Sequence, residues 1–163
     1  MLPIWLNRAM AETPTDPAIA AVTALLLDLF RVNNLALAAG DRLVEAVGLT
    51  SARWQVLGSI VAAPRPQPVA WLARDMGANR QNVQRIVNDL AKEGLVAFQP
   101  NPHHRRAQWV VLTARGQHAF DTAMALQGPW AARLARGLDA ATLGAAQRVL
   151  GALKQNLEED SGR

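Results

Sequence analysis

The sequence predicts a mainly α-helical chain carrying one small β-hairpin. Three observations predict it. Apolar residues recur at helical spacing in successive blocks from Pro17 to Leu90 and again after Thr113. Only "LVAFQ" and "QWVVL" have the short, Val- and aromatic-rich character of strands, and the polar turn "PNPHHRRA" joins them. Half of the 163 residues are hydrophobic, enough for one core with helical extensions.

Residues 1–16 read as a loose arm, with Pro3 and Pro14 in it, although "LPIWL" is apolar. Asp16 and Pro17 read as the N-cap and first-turn proline of a helix that runs to about Val47 and ends at Gly48. Gly40 marks a weak point inside it. In "LTSARWQVLGSIVAA", Thr50 or Ser51 caps a second helix whose stripe is Trp54, Leu57, Ile60 and Val61. "PRPQP" is a break. "VAWLARDMG" is a short helix with Val69, Leu72, Ala73 and Met76 on one side, closed by Gly77.

The next stretch, "NRQNVQRIVNDLAKEGLV", is capped by Asn79 and ends at Gly94. Val83, Ile86, Val87 and Leu90 form its buried stripe. After the hairpin the chain is helical from Thr113, and Gly128-Pro129 should kink or split that helix. A last helix is expected from about Asp139 to Glu158. Its Leu143, Leu150 and Leu157 recur every seven residues, which suits either an intramolecular core or a dimer seam.

Composition narrows the function classes. The absence of cysteine removes disulfides, thiol catalysis and Cys-ligated zinc. No glycine-rich phosphate loop and no Ser/His/Asp grouping occurs, so no enzyme is expected. His103, His104 and His118 have no accompanying carboxylate cluster, so no metal site and no cofactor is expected either. The longest apolar run, Ala18 to Leu27, is broken by Thr23 and stopped by Asp28, too short to span a bilayer. Glu12 and Asp16 stand where a signal peptide would be positive. The expectation is a cytoplasmic protein without membrane contact.

The net charge of +4 is unevenly placed. Residues 65–115 hold eight Lys and Arg against three acidic side chains, a net +5, and the rest of the chain is −1. That is the footprint of a polyanion-binding segment.

A short helix, a glycine turn, a second helix and a basic hairpin make a helix-turn-helix with a wing. The second helix of such a module lies in the major groove. With Val83 at the centre of the buried stripe, Gln81, Gln84, Arg85, Asn88 and Lys92 fall on the outer face. Asn82 lies at its edge and Arg80 in the first turn. Arg pairs with guanine, and Asn or Gln with adenine, through two hydrogen bonds each. A merely solvated helix has no need of that face. At the hairpin tip, His104, Arg105 and Arg106 suit phosphates or a narrow minor groove. The alternative is a winged-helix module for protein–protein contact, against which the amide-rich face and the +5 segment argue.

"LTSARWQVL", "VAWLARDMGANRQNVQRIVNDLAKEGLV" and "NPHHRRAQWVVLTARG" resemble, in order and spacing, the core of the multiple antibiotic resistance regulator (MarR) family. The similar block runs from about Leu49 to Gly116. The resemblance implies a winged helix-turn-helix lobe at 49–116, an N-terminal dimerisation helix at 17–48 and C-terminal dimerisation helices at 117–163. It implies a homodimeric transcriptional regulator, read here as a repressor, on a pseudo-palindromic double-stranded DNA site. It also implies release of DNA by a small aromatic or phenolic effector. Trp54, with Arg53 and Asn34, is the candidate effector contact, the alternative being that Trp54 is core. The family wing usually reads Asp-Arg-Arg, and here His104 stands in place of the Asp that would hold an arginine.

Overall fold

The computed structural model describes residues 16–102 and 106–161, the Ser161 side chain excepted. The arm 1–15 and the wing-tip residues His103, His104 and Arg105 lie outside the described residues. The elements in chain order are α1 (Pro17–Val44), a 3-10 turn (Glu45–Val47), α2 (Ser51–Ala62), β1 (Gln67–Pro68), α3 (Val69–Asp75) and α4 (Arg80–Lys92). They continue as β2 (Val96–Gln99), β3 (Trp109–Leu112), α5 (Ala114–Leu134) and α6 (Ala140–Ser161). The chain divides into two compact units after Ala123, within α5.

In the first unit α2, α3, α4 and the sheet enclose one core. Leu57, Leu72, Val83, Val87, Leu90 and Val110 are fully buried there. The expected stripe of α4, Val83–Ile86–Val87–Leu90, is buried along its whole length. Helix starts follow their caps. Asp16 accepts from Ala18 N at 2.8 Å, Thr50 Oγ1 from Arg53 N at 3.3 Å, and Asn79 Oδ1 from Gln81 N at 2.9 Å. Between α3 and α4 the chain reverses through Gly77, whose φ of +61° suits a residue without a Cβ.

Five expectations are corrected. "PRPQP" is not only a break: Gln67–Pro68 pairs antiparallel with β3, and the sheet has three strands in the order β1-β3-β2. An edge strand tolerates proline because the missing N–H faces away from the ladder. In α2 the fully buried pair is Val56 and Leu57, Trp54 and Ile60 are half-buried, and Val61 is exposed. Helix α1, helix α4 and β3 all pack on α2, which turns its buried face from Val61 towards Val56. Helix α5 runs unbroken through Pro129. The carbonyl that loses its partner there belongs to Ala125, and both residues are exposed, so water serves it.

Gly40 is a joint rather than a weak point. It is buried, and a Cβ on it would collide with Ser51 Oγ. That hydroxyl donates to Leu37 O at 2.7 Å, and Ser51 N donates to Asp41 Oδ1 at 2.6 Å. The N-terminus of α2 is thus bonded to α1 across a close approach that only glycine permits. The first helix has the expected bounds, but its apolar stretch is longer than the run Ala18 to Leu27. Pro17–Val47 is 31 helical residues with a mean hydropathy of 1.5 in an 18-residue window, long and apolar enough to cross a membrane by length and composition. The uninterrupted run counted from sequence misses this, because Asp28 and Arg31 interrupt it as an ion pair at 3.0 Å.

In the second unit, α5 ends at Leu134 and α6 starts on its cap, Asp139, whose Oδ1 accepts from Thr142 N at 2.7 Å. Leu143, Leu150 and Leu157 are exposed along α6.

Candidate nucleic-acid interface

Helix α4 carries the site because its apolar side is spent on the core. The opposite side is then free to carry side chains for a partner. Arg80, Gln81, Asn82, Arg85, Asn88 and Lys92 are exposed and Gln84 is half-buried. Within this face, Gln84 Nε2 donates to Asn88 Oδ1 at 3.0 Å, and an Arg85 Nη donates to Asn82 Oδ1 at 3.0 Å. Asp89 lies 3.9 Å from Arg85 and 3.6 Å from Lys92. Exposed pairs of this kind contribute about 0–1 kcal/mol, so they orient the side chains and yield to a stronger partner at little cost.

The sheet places the wing beside that helix. β2 and β3 pair in the register Val96↔Leu112 to Gln99↔Trp109. A cleft of about 290 Å³ brings Arg80, Gln84 and Asn88 of α4 together with Arg106 and Gln108 at the wing base. Gln108 is the site residue that sequence reasoning misses. In sequence it is only the first residue of a strand, and nothing in the strand pattern tells which way that side chain serves. His104 and Arg105 fall outside the described residues, so the expected minor-groove contact of the tip stays an expectation.

The residues that follow the hairpin, Thr113 to Gly116, tie it down. Thr113 Oγ1 donates to Gly94 O at 2.7 Å and accepts from Gly116 N at 3.0 Å, while Thr113 N donates to Leu95 O at 3.1 Å. Gly116 lies so close to the Leu95 carbonyl that any Cβ would strike it. Arg115 Nη1 donates to Glu93 O at 2.9 Å. Together these bonds fasten the far end of the wing to the C-terminus of α4, which fixes the wing relative to the helix it accompanies.

The residues expected to meet an effector are placed differently from one another. Trp54 is half-buried against the core. Arg53 is committed: Nη1 donates to Gly48 O at 3.1 Å, and Nη2 pairs with Glu93 at the end of α4. Its Nε is buried without a partner among the described residues. Asn34 is exposed on α1. Arg53 therefore joins the start of α2 to the end of α4, a role that accounts for it without a ligand.

Comparison with known proteins fits this arrangement. A MarR family model matches residues 47–107, from the 3-10 turn to the wing base. An uncharacterised protein of Mycobacterium tuberculosis is 34% identical over 137 residues, covering 82% of this chain and 94% of that one. The transcriptional activatory protein BadR of Rhodopseudomonas palustris is 29% identical over 117 residues, 71% of this chain and 67% of BadR. Among solved structures, the M. tuberculosis transcriptional regulator MosR in complex with DNA superposes with a TM-score of 0.71 at 22% identity, over 82% of this chain and 96% of that one. On the family match, the extent of the likeness and the winged lobe described above, this chain belongs to the MarR family of transcriptional regulators.

Proposed function

We propose that this chain is a cytoplasmic, homodimeric transcriptional regulator that sets one α4 into the major groove of each half of a pseudo-palindromic site. The observation that carries the reading is the exposed face of α4, its amide and guanidinium side chains standing beside a basic wing base. Arg85 suits guanine, and Gln81, Gln84 and Asn88 suit adenine. Arg80 and Arg106, and by sequence Arg105 and His104, suit phosphates or the minor groove. The DNA complex of MosR, a protein of the same fold, supports this use of the module.

The dimer follows from α1 and α6. On α1, Val22, Leu25, Leu29 and Val32 are spaced three, four and three apart and all stand in solvent. On α6, Leu143, Leu150 and Leu157 recur every seven residues and are likewise exposed. Helix α1 also exposes Ile19, Phe30 and Leu35 beside that stripe, but Asp28, Arg31, Asn33 and Asn34 keep it from being apolar all round, as a helix bound for lipid is, and so it suits a partner helix. A second copy of the chain is the partner we assign. Repression is the direction we adopt, by occlusion of the bound site. BadR, whose name describes activation, makes a reporter assay with and without the chain the deciding experiment for direction. Control by a small aromatic effector near Trp54 is supported by the position of that ring at the edge of the core.

The test of DNA reading is a binding titration against a duplex selected from a random library. The logarithm of affinity should fall steeply with the logarithm of salt concentration, by several units of slope for a dimer that neutralises several phosphates. A flat salt response, with retention of a protein partner instead, would favour the protein–protein module.

A further inference from the structure

We infer that the root of the wing carries a separate binding site for a planar aromatic carboxylate. A cavity of about 580 Å³ opens between α3, β1 and the two legs of the wing. Trp71 and Trp109 supply two indole walls, and Pro66 and Pro68 supply flat apolar ones. Such a lining, apolar with very few polar groups and of this size, is what small-molecule sites have. It includes no residue of α4, adjoins the cleft assigned to DNA only through Pro68 and Ala107, and does not include Trp54.

The polar part of the lining sets the charge of the occupant. Arg65 lines the cavity and holds its guanidinium 5.7 Å from the Trp71 ring centroid. Arg74 stands at 5.6 Å from the same ring and is also near Asp75, at 3.4 Å. Arg65 has no carboxylate within ion-pair distance among the described residues. It is a cation fixed on an aromatic face and left without a counter-charge, in the net +5 segment. Trp71 is 42% exposed, unusual for so large an apolar ring at the mouth of a cavity. An occupant that covers indole and proline with a flat ring and meets Arg65 with a carboxylate satisfies both features. A phosphate alone leaves the apolar walls wet, and a neutral aromatic leaves Arg65 unpaired.

The position has a consequence for the wing. Asn101, on the leg leaving β2, donates from Nδ2 to Ala107 O at 2.9 Å, on the leg entering β3. Both residues line the cavity. An occupant therefore touches both legs at the bond that ties them.

The experiment uses full-length protein without DNA and 2-naphthoate as the probe, with 2-naphthalenemethanol as its neutral counterpart, read by calorimetry. Naphthoate should bind once per chain and about tenfold or more tightly than the alcohol, the worth of one charged hydrogen bond. Arg65→Gln should bring naphthoate down to the affinity of the alcohol, with an unchanged melting curve. Trp71→Ala should abolish binding of both, and Trp54→Phe should leave both unchanged. No binding at millimolar probe, binding indifferent to Arg65→Gln, or binding abolished in Trp54→Phe but kept in Trp71→Ala would overturn the site. Because DNA is absent, a chain that binds naphthoate and no duplex contradicts the proposed function while this site stands, and the reverse result does the opposite.

Discussion

Helices α4 and α1 both repeat apolar residues every three or four positions, yet they use that stripe in opposite ways. Val83, Ile86, Val87 and Leu90 of α4 are closed inside their own lobe. Val22, Leu25, Leu29 and Val32 of α1 are open, and α1 is anchored only near its end, where Gly40 and Val44 are buried. A helix whose apolar side is satisfied within the protomer has its other face free for a polar polyanion. A helix whose apolar side is unsatisfied is specialised for another apolar surface. The same periodicity in sequence thus codes for two kinds of partner, and burial tells them apart.

Breaking the α1 side should have the largest effect. The double change Leu25→Asp and Leu29→Asp places two carboxylates in the proposed dimer seam, where an unpaired buried charge costs several kcal/mol. Sedimentation should show a monomer at micromolar concentration, and DNA affinity should fall by about a hundredfold or more. A dimer that persists would assign the α1 stripe to something else. Breaking the α4 side from within comes next. Leu90 is fully buried, and Leu90→Ala should lower stability by about 2–5 kcal/mol in urea unfolding, leaving the α1 seam intact in sedimentation.

Gly116→Ala should be milder in size and more local. Its Cβ meets the Leu95 carbonyl, and forcing it in costs about 1–3 kcal/mol. Faster amide exchange at Leu95 and Thr113 than at Val87 would show that the fastening of the wing, rather than the core, has loosened. The smallest effect is at Asp139. Hydrogen bonds from Thr142, backbone first and side chain second, hold its carboxyl below the ordinary aspartate value. A lowered folded pKa means that the cap contributes fully above the ordinary aspartate range and ceases to contribute as pH falls through the folded value. Protection of the amides in the first turn of α6, measured relative to their intrinsic exchange rates, should fall on acidification through that range, and Asp139→Asn should flatten the dependence.

Much of this was legible because helical period and caps are local. Asn79, Asp16 and the buried stripe of α4 could be read directly, as could the hairpin, whose Val- and aromatic-rich strands have no helical alternative. What was not legible depended on neighbours. A two-residue strand such as Gln67–Pro68 has no period to detect and exists only because β3 offers an edge. The rotation of α2 towards Val56 needs three partners that no single helix encodes. Arg53 looks available for a ligand in sequence, but Glu93, forty residues away, claims it. The DNA face is readable from side-chain chemistry, but Gln108 joins it only through the fold.

The central claim is that α4 reads bases and does not merely hold phosphates. The most direct measurement compares wild type with Gln84→Ala and Arg85→Ala on the selected site and on random duplex of equal length, at one salt concentration. Each change should weaken binding to the selected site by about 1–3 kcal/mol in each half-site and relax preference at one base pair there, with random duplex little affected. Equal weakening on both duplexes would contradict the claim and reduce these side chains to phosphate binders.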